Sequence, residues 1–164
     1  MHSMWRAVVL GGVVTLGVVL GAGIVRVSAQ ASDARIGTWK LNVAKSKFSP
    51  GPAPQSRTVK VEASGQGEKV TVEGVNAAGT PTMEQYTANF DGKDYPMTGS
   101  QNADTVSFKR IDARTMERTD KKGEKVVTTS TRVVSEDGKT MTVTTKGTNA
   151  QGQAVDNVSV WEKQ

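Results

Sequence analysis

The sequence contains no cysteine and only one histidine, His2, beside the first residue. Lacking thiols, the chain makes no disulfide, no Cys-ligated zinc site and no thiol nucleophile. Lacking an internal histidine, it makes no Ser-His-Asp triad and no His-based metal cluster. No cofactor, metal site or catalytic residue is therefore expected. Leucine is nearly missing beyond the first thirty residues, where Leu41 stands alone with Ile36 and Ile111, and aromatics there number seven. Acidic residues are missing from positions 1–31 altogether. The whole chain has 164 residues, a length that argues for one folded domain.

What fills positions 1–31 has the layout of an export signal. A short basic stretch ends at Arg6, an uncharged run extends from Ala7 to Val25, and small residues follow at Ala29-Gln30-Ala31, the A-x-A spacing that signal peptidase accepts. Cleavage is expected after Ala31, with Val27-Ser28-Ala29 as a second acceptable site. The alternative is an uncleaved membrane anchor, because such a run as a helix rises roughly 28 Å, close to the ~30 Å hydrocarbon thickness. Five glycines (Gly11, Gly12, Gly17, Gly21, Gly23) favour cleavage. With no cysteine for lipid attachment and no twin arginine, the general secretion route is expected, delivering residues 32–164 to the periplasm or the extracellular space. Contact with a membrane is expected only through this segment, if it is retained.

Beyond it, 19 basic residues face 16 acidic ones, so the formal charge falls from +5 for the whole chain to +3. Residues 32–164 hold 15 valines and 18 threonines. β-Branched side chains are stiff at χ1 and suit a pleated sheet, so composition alone predicts an all-β domain. Alternation agrees: Val59, Val61 and Ala63 interleave with Thr58, Lys60 and Glu62; Val70 and Val72 with Thr71 and Glu73; Met141 and Val143 with Thr140, Thr142 and Thr144. Turn signals separate these runs at Gly65-Gln66-Gly67, Ala78-Gly79, Asp91-Gly92, Lys122-Gly123, Asp137-Gly138 and Gln151-Gly152. The reading is an antiparallel up-and-down meander of about 8 to 10 strands, at 36–43, 57–64, 68–76, 81–90, 93–97, 104–111, 115–121, 125–134, 140–147 and 155–162. Residues 44–56, with Pro50, Pro52 and Pro54, are expected to form an extended surface loop. Closure into a barrel removes the two exposed edges of so long a meander; an open sandwich is the alternative.

The two ends of this domain carry a resemblance. The first strand reads Ile36-Gly37-Thr38-Trp39-Lys40-Leu41 and the last contains Val160-Trp161-Glu162-Lys163. Both resemble the calycin group, the lipocalins and intracellular fatty-acid-binding proteins, in which a Gly-x-Trp starts the barrel and the indole closes its floor. The longer stretch Gly37 to Asn42, followed by Ser46-Lys47-Phe48, is similar to small exported bacterial proteins of the lipocalin-like kind. The resemblance implies a lipocalin/fatty-acid-binding-protein-like barrel with Gly37 and Trp39 at its floor. There are departures. The proline-rich loop stands where fatty-acid-binding proteins place two helices as a lid. Ser159 and Trp161 stand where they place an Arg-x-Tyr carboxylate clamp. The disulfide usual in lipocalins has no cysteine to form it.

Candidate ligand-binding residues are Trp161, Ser159, Tyr86, Phe90 and Phe108, which either line a cavity or are ordinary core. Arg110, Arg118 and Arg132 fall on three neighbouring strands and either converge on an anion or pair with Glu84, Glu117 or Glu136. Asp137-Gly138 is a hairpin turn without the ligand spacing of a calcium loop. Lys109-Arg110 and Lys121-Lys122 are too sparse and too offset by acids for a nucleic-acid surface, so no nucleic-acid partner is expected. No nucleophile elbow is present. The expected function is non-enzymatic binding of a small, partly apolar ligand in the barrel by a monomeric exported protein. The alternative is a structural or interaction module of the cell envelope with a packed interior.

Overall fold

A computed structural model describes residues 33–164; the expected signal segment, residues 1–31, lies outside the described residues. Ten strands follow one another: β1 (Gly37–Lys47), β2 (Ser56–Ser64), β3 (Gly67–Val75), β4 (Pro81–Asn89), β5 (Tyr95–Thr98), β6 (Thr105–Arg110), β7 (Thr115–Lys122), β8 (Lys125–Val134), β9 (Thr140–Thr148) and β10 (Ala154–Lys163). Each pairs antiparallel with its neighbours in sequence. β1 also pairs with β10, Leu41 opposite Trp161, which closes the sheet into a barrel rather than an open sandwich. Closure leaves no unpaired edge.

Because side chains alternate in and out along a strand, the valines that set the sequence pattern point inward together. Val59, Val72, Val61 and Val70 form facing pairs across β2 and β3, all buried. Lys60 and Thr71, paired between them, face outward. The glycine of each expected turn adopts positive φ, at Gly65, Gly79, Gly92, Gly123, Gly138 and Gly152. Gly147 answers a different need: a Cβ there would overlap the Val127 carbonyl oxygen on the adjoining strand.

One boundary differs from expectation by more than two residues. β1 continues to Lys47 instead of ending at residue 43, because a bulge between Asn42 and Lys47 lets the strand bend and rejoin β10 opposite Val158. Side chains support that bulge. Ser46 Oγ donates to the Asn42 carbonyl at 2.7 Å and accepts the Val160 N–H at 3.0 Å, and Asn42 Oδ1 accepts the Lys45 N–H at 3.0 Å. Only residues 48–55 remain as the proline-rich connection. At the other extreme, β5 is short and shares just two residue pairs with each neighbour, Pro96 being unable to donate to the ladder.

The turns β2–β3, β4–β5, β6–β7 and β8–β9 lie at one end of the barrel with residues 33–36; the turns β3–β4, β5–β6, β7–β8 and β9–β10 lie at the other with the proline-rich connection. The first end is solid and the second is open. At the open rim two turns have the same internal bracing: Asn76 Oδ1 accepts N–H groups of Ala78 and Thr80, and Asn149 Oδ1 those of Gln151 and Gln153. Asx turns of this sort fix loop shape without help from the barrel wall.

Candidate functional site in the barrel lumen

The closed end is built around Trp39, which is fully buried. Its Nε1–H donates to the Arg35 carbonyl at 2.8 Å. Val61, Val106, Phe108, Met116 and Val134 fill the space beside it. Phe108 packs against Tyr86, centroids 5.5 Å apart, and edge-on against Phe90 at 6.4 Å. Arg35, only 1% exposed, enters this plug from the N-terminal side. Its guanidinium lies 4.7 Å from the Phe90 ring centroid, donates to Met116 Sδ at 3.3 Å and is ion-paired with Asp33. Gly37 has φ +135, and a Cβ there would meet the Lys163 chain at 2.8 Å. Lys163 Nζ itself reaches the Ala34 carbonyl and stands over the Trp39 ring, which ties the last strand to the plug.

Above this plug the barrel is hollow. The lumen has a volume of about 1030 Å³ and opens between the proline-rich connection and the three rim loops at residues 76–82, 99–103 and 148–149. Its apolar wall comes from Leu41, Tyr86, Met97, Met141 and Trp161. The Trp161 indole donates to Ser159 Oγ at 2.9 Å, so both face the lumen already satisfied.

Three arginines reach into this space, each held by its own carboxylate. Arg132 Nη1 contacts both oxygens of Glu68 at 3.0 and 3.3 Å, and its Nη2 donates to the Tyr86 hydroxyl at 3.3 Å. Glu68 and Arg132 are both buried. Burial by itself would lower the Arg132 pKa, but the Glu68 carboxylate and the Tyr86 oxygen together more than offset this and hold it above its usual range. Burial pushes the Tyr86 hydroxyl up despite the two nearby arginines, so it is a neutral phenol at pH 7. Arg118 Nε donates to Asp120 Oδ1 at 2.7 Å, while Asp120 Oδ2 accepts the Thr128 hydroxyl at 2.9 Å. The Arg118 guanidinium stacks 5.1 Å from the Tyr86 centroid and touches Met97 Sδ at 3.4 Å. Nearer the rim, Arg57 pairs with Glu84 at 3.2 Å.

The expected site residues therefore divide. Trp161, Ser159, Tyr86, Arg118 and Arg132 line the lumen. Phe90 and Phe108 lie below it in the plug. The three arginines do not converge on one anion. Arg110 sits at the closed end, where its Nη2 donates to Asp33 Oδ2 at 2.8 Å and its guanidinium lies 4.9 Å from the Phe90 centroid. Nor do the anticipated partners serve: Glu84 pairs with Arg57 and Glu136 with Arg114. Sequence reasoning missed Glu68 and Asp120. A signal for both was present, since Glu68 shares a strand face with Val70 and Val72, and Asp120 with Met116 and Arg118. Among the described residues, no cluster of acidic or histidine side chains is arranged to hold a metal ion.

No protein-family model matches the sequence. No curated protein matches it either. Among solved structures, the zebrafish ileal bile acid-binding protein complexed with cholic acid is similar at 13% identity, with a TM-score of 0.48, over 80% of this chain and 99% of that one.

Proposed function

We propose that this protein is a non-enzymatic binder of a small, partly apolar ligand, held in the barrel lumen. The observation that carries the reading is the lumen itself. A cavity of about 1030 Å³, walled by an indole, a phenol and two methionines, with placed polar groups among them, has the scale and character of ligand pockets, which run roughly 300–1,000 Å³. A packed envelope module has no use for a hollow upper half, because unfilled volume costs stability. We further propose that residues 1–31 direct export and are removed, so that the working protein begins at Ser32 in the periplasm or outside the cell.

Native mass spectrometry of protein recovered from its own cells is expected to show a mass increment from a non-covalent small molecule, lost on unfolding. Titration with a neutral naphthylamine dye is expected to saturate at one equivalent with energy transfer from tryptophan. Absence of both a bound molecule and dye binding would sink the binding reading. The export reading is checked by the N-terminal sequence of the recovered protein: a start at Ser32 supports it, and an intact Met1 on protein found in the cytosol overturns it.

A further inference from the structure

The charges inside the lumen specify what kind of ligand it takes. Five ionisable side chains line it, and with Glu68 buried behind Arg132 they cancel in pairs: Arg57 with Glu84, Arg118 with Asp120, and Arg132 with Glu68. None of these arginines is a vacant receptor for a negative charge. Arg132 has already given Nη1 to Glu68 and Nη2 to the Tyr86 hydroxyl. Arg118 is fixed through Nε on Asp120 and by stacking on Tyr86. An anionic headgroup brought to either guanidinium lands beside the carboxylate that holds it, within a wall that screens charge poorly. Like charges so juxtaposed are strongly disfavoured.

An uncharged oxygen meets no such obstacle. Among the described residues no acceptor pairs with Arg118 Nη1, and this nitrogen belongs to a residue on the lumen wall. A hydroxyl, ether or carbonyl oxygen takes one N–H there without disturbing Asp120, while an apolar body lies against Trp161 and Met141. We infer that the lumen is selective for neutral amphiphiles, an apolar skeleton bearing hydroxyl or carbonyl oxygens, and rejects organic anions of the same skeleton. This rests on the lumen being the binding site. The paired carboxylates then work as an exclusion device, which is specificity achieved by a repulsive element.

Two dyes with a common skeleton make the test: N-phenyl-naphthylamine, which is neutral, and anilinonaphthalene sulfonate, which adds one negative charge. Both are titrated at neutral pH against the mature protein, with energy transfer from tryptophan, reduced in Trp161→Phe, which keeps Trp39 as donor, reporting occupancy of the lumen. The wild type is expected to bind the neutral dye at least roughly tenfold more tightly. Asp120→Asn frees the Arg118 charge and is expected to shift the ratio of sulfonate to neutral-dye affinity roughly tenfold toward the sulfonate. Glu84→Gln at the rim gives a second, milder variant that acts in the same direction. Equal or tighter binding of the sulfonate by the wild type overturns the inference and leaves the binding function standing. Failure of both dyes to bind overturns the two together.

Discussion

The two ends of this barrel are made from the same strands and treat their interiors in opposite ways. Toward the closed end, inward positions carry Trp39, Val61, Val106, Phe108, Met116 and Val134, all at or below 1% exposure, and the space is filled. Toward the open end the same strands turn inward Arg57, Glu84, Arg118, Asp120, Ser130 and Ser159, and the space is left empty. Close packing recovers dispersion and hydrophobic energy, so the closed end is where stability concentrates. The open end gives up that energy for a surface that faces a ligand. Rim turns braced internally by Asn76 and Asn149 keep the mouth shaped without a packed interior behind it. Fold and site are thus separated along the barrel axis rather than by domain.

The sharpest way to break this comparison is at Trp39. Trp39→Ala is expected to cost about 3–5 kcal/mol in denaturant-induced unfolding, since the plug cannot collapse around the loss. A cost under about 1 kcal/mol would remove Trp39 from its place as the keystone of the closed end. Next in size is the buried pair at the boundary between plug and lumen. Glu68→Gln strands the Arg132 charge and is expected to cost about 3 kcal/mol, whereas the double variant Glu68→Met with Arg132→Met should unfold near the wild-type midpoint. If the double variant is as damaged as the single one, the pair is integral to packing and the boundary has been drawn in the wrong place. Trp161→Ala, on the lumen wall, should cost only about 2 kcal/mol, because it enlarges a cavity that already exists. Equal losses at Trp39 and Trp161 would mean that the two ends are packed alike.

Much of this architecture is legible in the residue order. Period-two alternation and a glycine at every hairpin but β6–β7 locate ten strands because both signals are local: a valine pattern reports which face is buried, and positive φ at Gly79 or Gly138 is a property of that turn alone. Strand direction and closure follow from short connections. The extension of β1 was hidden because it depends on Ser46 meeting the Val160 N–H from the far end of the chain. Height along the barrel axis was hidden for a related reason. Alternation tells that Phe108 and Tyr86 point inward, but the tilt and stagger of the strands decide that Phe108 belongs to the plug and Tyr86 to the lumen wall. The same dependence on height divides Arg110 from Arg118, which lie on adjoining strands only two register positions apart, yet one pairs with Asp33 at the closed end and the other with Asp120 on the lumen wall.

The smallest expected effect concerns how the closed end is held shut. Asp33 is partly buried, which alone would raise its pKa, but hydrogen bonds from the Arg35 side chain and amide, the Arg35 charge and a hydrogen bond from Arg110 together bring it from 3.8 to about 2. A carboxyl whose folded pKa lies below its unfolded value stabilises the fold at all pH values above the unfolded pKa, and that contribution disappears as pH falls from about 4 to about 2. Solvent still reaches Asp33, so the contribution is discounted to about 1 kcal/mol. Wild-type stability measured by urea titration should therefore decline over this window, and Asp33→Asn should start lower at pH 7 and decline less. The effect should be confined to the plug: tryptophan spectra should show the loss at Trp39, while dye affinity in the lumen stays unchanged until global unfolding begins. A parallel fall in dye affinity with Asp33 protonation would show that the two ends are coupled, and would replace their separation along the axis with a single cooperative unit.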